Sequence, residues 1–368
     1  MSGKPEFGSF LHRRGQGHSK GDPVAEPLII TSMYHLPGSP EGFPGYGRID
    51  NPTRSHLEDA LSFLEGASVL AFPSGMAAIS AALFATVKAG SRVLIPSDGY
   101  YVTRRLADEF LGPLGVSVEQ RETSSFLEGG FEGFDVVFVE TPSNPGLDVL
   151  DLVKVAEYAK TAGAITIADN TTLTPLGQRP LDLGIDIVVA SDTKAMGGHS
   201  DILMGHVATH DDELLRRVRD WRNVSGAIPG PYDCWLLMRG LETLEVRFER
   251  MCASAEVIAT RLEARMPKGT VRFPGLDLDP SYEVAAKQML RFGFVIGLTF
   301  ESETKAEEFI NRCRLLRPAT SFGGTHSSAE RRARWGDAVA PGYVRISVGC
   351  EPIEELWAAI DEAASMIV

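Results

Sequence analysis

Two stretches decide the fold: Ile165-Thr166-Ile167-Ala168-Asp169-Asn170-Thr171 and Ile187-Val188-Val189-Ala190-Ser191-Asp192-Thr193-Lys194. Each is a short β-branched apolar run that stops at a polar tip. Runs that are apolar on both faces suit the buried strands of a mostly parallel sheet. The same texture recurs upstream at Val69-Leu70-Ala71-Phe72, Val93-Leu94-Ile95 and Val136-Val137-Phe138-Val139. Helical patterns lie between these runs, over residues 76–88, 103–111 and 152–162, with Gly90 and Gly163 placed as stops. Strand and helix in alternation predict an α/β fold.

Outside this block the texture changes. Residues 1–50 are rich in Gly, Pro, Ser and charge, and read as an extended arm without a core of its own. Residues 51–235 hold the α/β alternation, and residues 236–368 read as a smaller C-terminal α+β domain. There the pattern predicts one long helix over 234–266, strands at 294–300 and 344–348, a helix at 305–313 and a last helix from 354.

The chain has 368 residues, 36 of them Lys or Arg and 49 Asp or Glu, for a formal charge of −13. An acidic surface repels phosphate backbones and anionic lipid, which argues against nucleic acid or membrane as the main partner. An anionic ligand must then be held by a local pocket. The four cysteines, Cys234, Cys252, Cys313 and Cys350, are scattered and form no Cys/His cluster. No metal site is predicted, and reduced thiols of a cytoplasmic protein are the expectation. No run of about 18 apolar residues suggests a membrane span.

In open α/β sheets, ligands bind beyond the carboxyl ends of the strands. Five strand ends here carry polar or Gly-rich tips: Ser74-Gly75-Met76, Ser97-Asp98-Gly99-Tyr100, Glu140-Thr141-Pro142-Ser143-Asn144, Asp169-Asn170-Thr171 and Ser191-Asp192-Thr193-Lys194. Lys194 alone would be an ordinary surface lysine. Set after a buried strand between hydroxyls and Gly197-Gly198, it suits a Schiff-base nucleophile. Asp169, alone a plausible helix cap, suits pairing with a protonated pyridine nitrogen, the partner that pyridoxal phosphate needs as an electron sink. Ser74-Gly75-Met76 opens a helix and fits a phosphate. Ser191 and Thr193 could aim at the same phosphate. Tyr100 could stack on a planar ring. Arg345, inside the alternating Tyr343-Val344-Arg345-Ile346-Ser347, suits an amino-acid carboxylate or, equally by pattern, a solvent-facing edge.

From about residue 27 onward the chain resembles the Cys/Met-metabolism enzymes that use pyridoxal phosphate, the trans-sulfuration family of cystathionine γ-lyase, γ-synthase and β-lyase and of methionine γ-lyase. The likeness rests on Tyr46-Gly47-Arg48 through Arg54, Ser74-Gly75-Met76, Glu140 through Pro145, Asp169-Asn170-Thr171, Ser191-x-Thr193-Lys194-x-x-Gly197-Gly198-His199, Ser321-x-Gly323-Gly324 and Arg345-x-Ser347-Val348-Gly349. It implies the fold-type I, aspartate-aminotransferase-like architecture, with a seven-stranded sheet in the large domain. It further implies that Lys194 carries the cofactor, Asp169 meets its ring nitrogen and Tyr100 stacks on it and acts in catalysis. Gly75, Met76, Thr171, Ser191 and Thr193 would complete the cofactor site. Tyr46 and Arg48 would reach a neighbouring subunit, making a homodimer or homotetramer. Asn144, Ser321 and Arg345 would meet the substrate.

The implied activity is a carbon–sulfur lyase of the cystathionine γ-lyase type, with β-lyase, γ-synthase or O-acyl-homoserine thiol-lyase activity as alternatives. A non-catalytic binding protein on the same fold is the alternative of a different class. Two departures bear on substrate: Thr320 stands where family members with γ-chemistry on cystathionine usually carry Glu, and Val102 where methionine γ-lyases carry Cys. The run Arg331, Arg332, Arg334 reads as a solvated helix face, with a distal substrate contact as the other reading.

Overall fold

The computed structural model describes residues 19–43 and 45–367. Helix α1 (Pro52–Glu65) begins where the Asn51 side chain accepts from the N–H groups of Thr53 and Arg54, and stops at Gly66 with φ +70°. A side-chain acceptor and proline at the start, with left-handed glycine at the end, define the helix locally. There follow β1 (Ser68–Phe72), α2 (Gly75–Thr86), β2 (Arg92–Pro96), α3 (Tyr101–Leu106), β3 (Ser117–Arg121) and β4 (Val136–Glu140). Next come α4 (Leu152–Ala162), β5 (Ile165–Asp169), β6 (Ile187–Ala190) and β7 (Gly205–Thr209).

These strands form a seven-stranded sheet in the order β1-β7-β6-β5-β4-β2-β3. Strands β2 to β6 pair in parallel, while β7 runs antiparallel to both β6 and β1. Two reversals cancel, so β1 points the same way as β6. The carboxyl ends of β1, β2, β4, β5 and β6 therefore share one rim, as the polar tips predicted. Strands β3 and β7 were not legible in the sequence: β3 is a half-exposed edge strand with Glu119 and Arg121, and β7 buries a histidine, His206, among small residues.

A second sheet, ordered β10-β11-β12-β9-β8, comprises β8 (Val271–Arg272), β9 (Val295–Thr299), β10 (Arg317–Pro318), β11 (Ser328–Arg331) and β12 (Tyr343–Ser347). The predicted strands at 294–300 and 344–348 are β9 and β12; β8, β10 and β11 were missed. Glu330 on β11 lies directly opposite Arg345 on β12. One apolar cluster runs from Leu57 and Leu61 of α1 through Phe248 to Ile296 and Val344, joining the two sheets through a common core.

The helix expected over 234–266 is two helices, Pro231–Leu241 and Leu244–Arg265, and the first crosses the expected 235/236 boundary. The break has a physical cause. The Gly240 carbonyl accepts from Arg247 Nη2 at 2.8 Å, and Arg247 Nη1 reaches the Ala195 carbonyl at 2.7 Å. One guanidinium thus ties the helix end to the loop after β6.

Candidate active site

A cavity of about 490 Å³ opens at the rim of the seven-stranded sheet. Ser74, Gly75 and Met76 line it after β1, Tyr100 after β2, and Glu140 and Asn144 at and after the end of β4. Asp169 and Thr171 line it at the end of β5, and Ser191, Thr193 and Lys194 after β6. The second sheet and its loops close the far side with Thr320, Ser321, Phe322, Arg332, Trp335 and Arg345.

Lys194 is held by the loop that carries it. Gly198 sits at φ +74°, and a Cβ there would run into the Arg247 guanidinium, so the loop can close over that arginine only with glycine. His199 Nδ1 lies 2.7 Å from the Gly197 carbonyl oxygen, a structural contact. The Lys194 amine donates to Ser321 Oγ at 2.7 Å and lies 5.1 Å from the Phe322 ring centroid. Burial, helped by the nearby Arg345 charge, brings this amine from 10.5 down to about 8. A useful share of it is then the neutral nucleophile near neutral pH.

Asp169 Oδ1 accepts from the Thr171 N–H at 2.9 Å and from its hydroxyl at 2.5 Å, and the same hydroxyl accepts from the Ser191 N–H at 2.8 Å. Thr171 thereby locks the carboxylate to the Lys194 strand end. Burial raises the Asp169 carboxyl, while Thr171 and the Lys194 charge pull it back. Its register partner Glu140 accepts from the Tyr100 N–H at 2.7 Å. Burial, then the Asp169 charge, hold Glu140 well above the ordinary carboxylate range. Two adjacent buried carboxyls resist double ionisation, and both are raised, Glu140 the more strongly. Burial, then Tyr101, raises the Tyr100 phenol, which stays protonated.

Arg345 Nη1 donates to Asn144 Oδ1 at 2.5 Å, and Nη2 donates to the Ser321 carbonyl at 3.0 Å and to Glu330 Oε2 at 3.3 Å. Ser321 has φ +78°, a left-handed conformation that a serine adopts only where its surroundings enforce it. Through its carbonyl and hydroxyl this one residue gathers both cations, Arg345 and Lys194.

At the other end of the cavity, a Cβ on Gly75 would come within 2.6 Å of Ser191 Cβ. Glycine therefore lets the start of α2 meet the turn after β6. The Ser74 hydroxyl caps Ala77, whereas the N–H groups of Gly75 and Met76 stand in the first turn, where the helix offers them no acceptor. Such an end accepts a phosphate. The Thr193 hydroxyl is already engaged with Met204, accepting from its N–H at 3.0 Å and donating to its carbonyl at 3.2 Å. Tyr46 and Arg48 do not line the cavity: Tyr46 is exposed and Arg48 donates to the Asn223 carbonyl at 2.6 Å.

The arginine run is not a solvated helix face. Arg331 is buried and paired with Glu303 and Glu307, both at 2.7 Å, and Arg332 is buried at the cavity wall. Arg331 ends β11 and Arg332 opens the tight turn after it, so the change of backbone direction sends the two neighbouring side chains to different partners. Sequence reasoning gave no role to Glu140, Phe322, Glu330 or Trp335. Glu140 closes its apolar strand as Asp169 closes the next, and that parallel was the available signal.

Lys194 supplies an amine, Asp169 an anion, and the start of α2 with Ser191 a phosphate cradle, the donor set that pyridoxal phosphate requires. The family described as "Cys/Met metabolism PLP-dependent enzyme" matches residues 9–365. A Streptomyces coelicolor protein provisionally named a cystathionine gamma-lyase is 44% identical over 93% of this chain and 90% of its own length. The cystathionine beta-lyase of Lactococcus lactis subsp. cremoris is 38% identical, covering 92% of this chain and 93% of its own. The structure of cystathionine gamma synthase from Xanthomonas oryzae, in complex with aminoacrylate and cysteine, superposes with a TM-score of 0.92 at 31% identity, over 98% of this chain and 97% of that one. The chain thus belongs to the Cys/Met metabolism PLP-dependent enzymes, with pyridoxal phosphate as its cofactor and carbon–sulfur bonds of amino acids as its family's field of action.

Proposed function

We propose that this chain cleaves L-cystathionine by γ-elimination and, with one water, yields L-cysteine, 2-oxobutanoate and ammonia. The observation that carries the reading is the meeting of Lys194, Asp169 and Arg345 in one cavity, with the lysine amine brought down to about 8. The 44% identity to a protein with the γ-lyase name supports γ- over β-cleavage.

Bound pyridoxal phosphate supplies an electron sink for negative charge developing on the substrate. Arg345 and Asn144 bind the substrate α-carboxylate and fix which Cα–H bond faces Lys194. The Lys194 amine, neutral in part near pH 8, takes the proton from Cα, would return it to the conjugated system that the bound cofactor supplies, and, neutral again, takes one from Cβ. Asp169, whose oxygen Thr171 holds through two hydrogen bonds, would meet the cofactor's ring nitrogen. Tyr100, kept protonated by burial, hands a proton to the departing sulfur. Gly75, Met76 and Ser191 would hold the phosphate, joined by Thr193 once its hydroxyl turns from the Met204 carbonyl. Tyr46 and Arg48 extend to the same site of a second copy of this chain, so that the active form is a homodimer or a tetramer of such dimers.

The test is to identify the keto acid made from cystathionine. 2-Oxobutanoate is expected; pyruvate would assign β-cleavage instead, and cystathionine formed from O-acyl-homoserine and cysteine would assign synthase activity.

A further inference from the structure

Beyond Lys194 and Arg345 the cavity has a wall that the reaction just described does not use, built from Arg332 and Trp335. Arg332 is 4% exposed. Asp337 Oδ2 accepts from its Nε at 2.8 Å and lies 2.7 Å from its Nη2, while Glu330 Oε2 accepts from its Nη1 at 2.7 Å. A guanidinium has five N–H donors, so these contacts leave donors over for the cavity. The same Glu330 Oε2 accepts from Arg345, which places the two guanidinium groups side by side around one oxygen.

Three cations, the buried Arg332 and Arg345 and the 40% exposed Arg334, share two carboxylates, Glu330 and Asp337. An anionic ligand bound among them completes the charge balance of the cluster. The α-carboxylate of a substrate accounts for Arg345. Arg332 remains, rigidly braced and directed at the cavity. Trp335 stands beside it with its indole N–H fixed on Glu330 Oε1 at 2.6 Å, and offers apolar surface to a methylene or sulfur chain. Arg331, one residue earlier, faces away toward Glu303 and Glu307, so the cavity-facing role belongs to Arg332.

We infer that Arg332, braced by Asp337 and Glu330 and flanked by Trp335, receives a second carboxylate at the far end of the substrate, so that the enzyme prefers thioethers with two carboxylates over those with one. This rests on the reading of the cavity as an amino-acid thioether site and names what determines its specificity.

Two measurements on the holoenzyme test it. The first compares kcat/KM for cystathionine with that for an S-alkyl homocysteine carrying a single carboxylate. Arg332→Gln lowers the former about tenfold or more, chiefly through KM, and leaves the latter within about threefold. Arg332→Lys, which keeps the charge but loses the fork, falls between. Equal losses on both substrates would make Arg332 a brace for Arg345 alone and overturn the inference, as would no loss on either.

The second measurement needs no variant. Calorimetric titration of the wild-type holoenzyme with suberate, which carries two carboxylates and no amine, is compared with octanoate, which carries one. Suberate is expected to bind about tenfold tighter; equal affinities overturn the inference even if the glutamine variant does not fold. If suberate is preferred but no thioether is cleaved, the lyase reading fails and the carboxylate subsite stands.

Discussion

At the scale of the residue, Lys194 sets the pH response. Its amine is brought down to about 8 by burial and then by Arg345, and only the neutral form captures an aldehyde. Cofactor uptake by the apoenzyme should therefore rise roughly tenfold per pH unit below about 8 and level off above it, followed as the growth of visible absorbance after mixing. A midpoint near 10.5 would show that the amine is not desolvated. Arg345→Ala removes a charge-assisted contact worth about 1.5–3 kcal/mol, and KM for amino-acid substrates should rise by roughly 10- to 100-fold with the cofactor absorbance retained. Lys194, Asp169 and Arg345 were legible because each interrupts an apolar strand pattern at its end or middle. Glu330 and Arg332 were not, because in a run of charge nothing in the sequence tells which side chains the strand turns inward.

At the scale of the element, the loop after β6 depends on a helix far away in sequence. Arg247 donates to the carbonyls of Ala195, Met196 and Gly240 at 2.7, 3.2 and 2.8 Å. Removing it leaves buried acceptors unpaired, so Arg247→Ala should cost ~3 kcal/mol or more, read as a lower denaturation midpoint, and should loosen cofactor retention. Unchanged stability would mean that water replaces the guanidinium at no cost. The same contact explains why a helix of even periodicity over 234–266 is interrupted: periodicity reports which face is apolar and is silent about a carbonyl taken by a partner. The apolar strands β1, β2, β4, β5 and β6 were readable for the opposite reason, since burial on both faces leaves a continuous apolar run. Edge strand β3 and the short strands β8, β10 and β11 leave none.

At the scale of the whole molecule, two sheets of different topology close on one cavity through a shared core, and the described residues of the N-terminal arm do not line that cavity. If Arg48 serves a second copy, Lys194→Ala and Arg48→Ala subunits, each weak or inactive alone, should regain partial activity when refolded together, because one of the two sites in each hybrid dimer is then intact. Absence of recovery, with hybrids demonstrated by mass, would assign Arg48 to its own chain. The convergence of strand ends carries one more consequence. The cavity's walls are drawn from positions as early as Ser74 and as late as Arg345. During translation the last of these emerges long after the first, so a nascent fragment that stops short of Arg345 lacks part of the pocket wall and cannot trap free aldehyde in a working site.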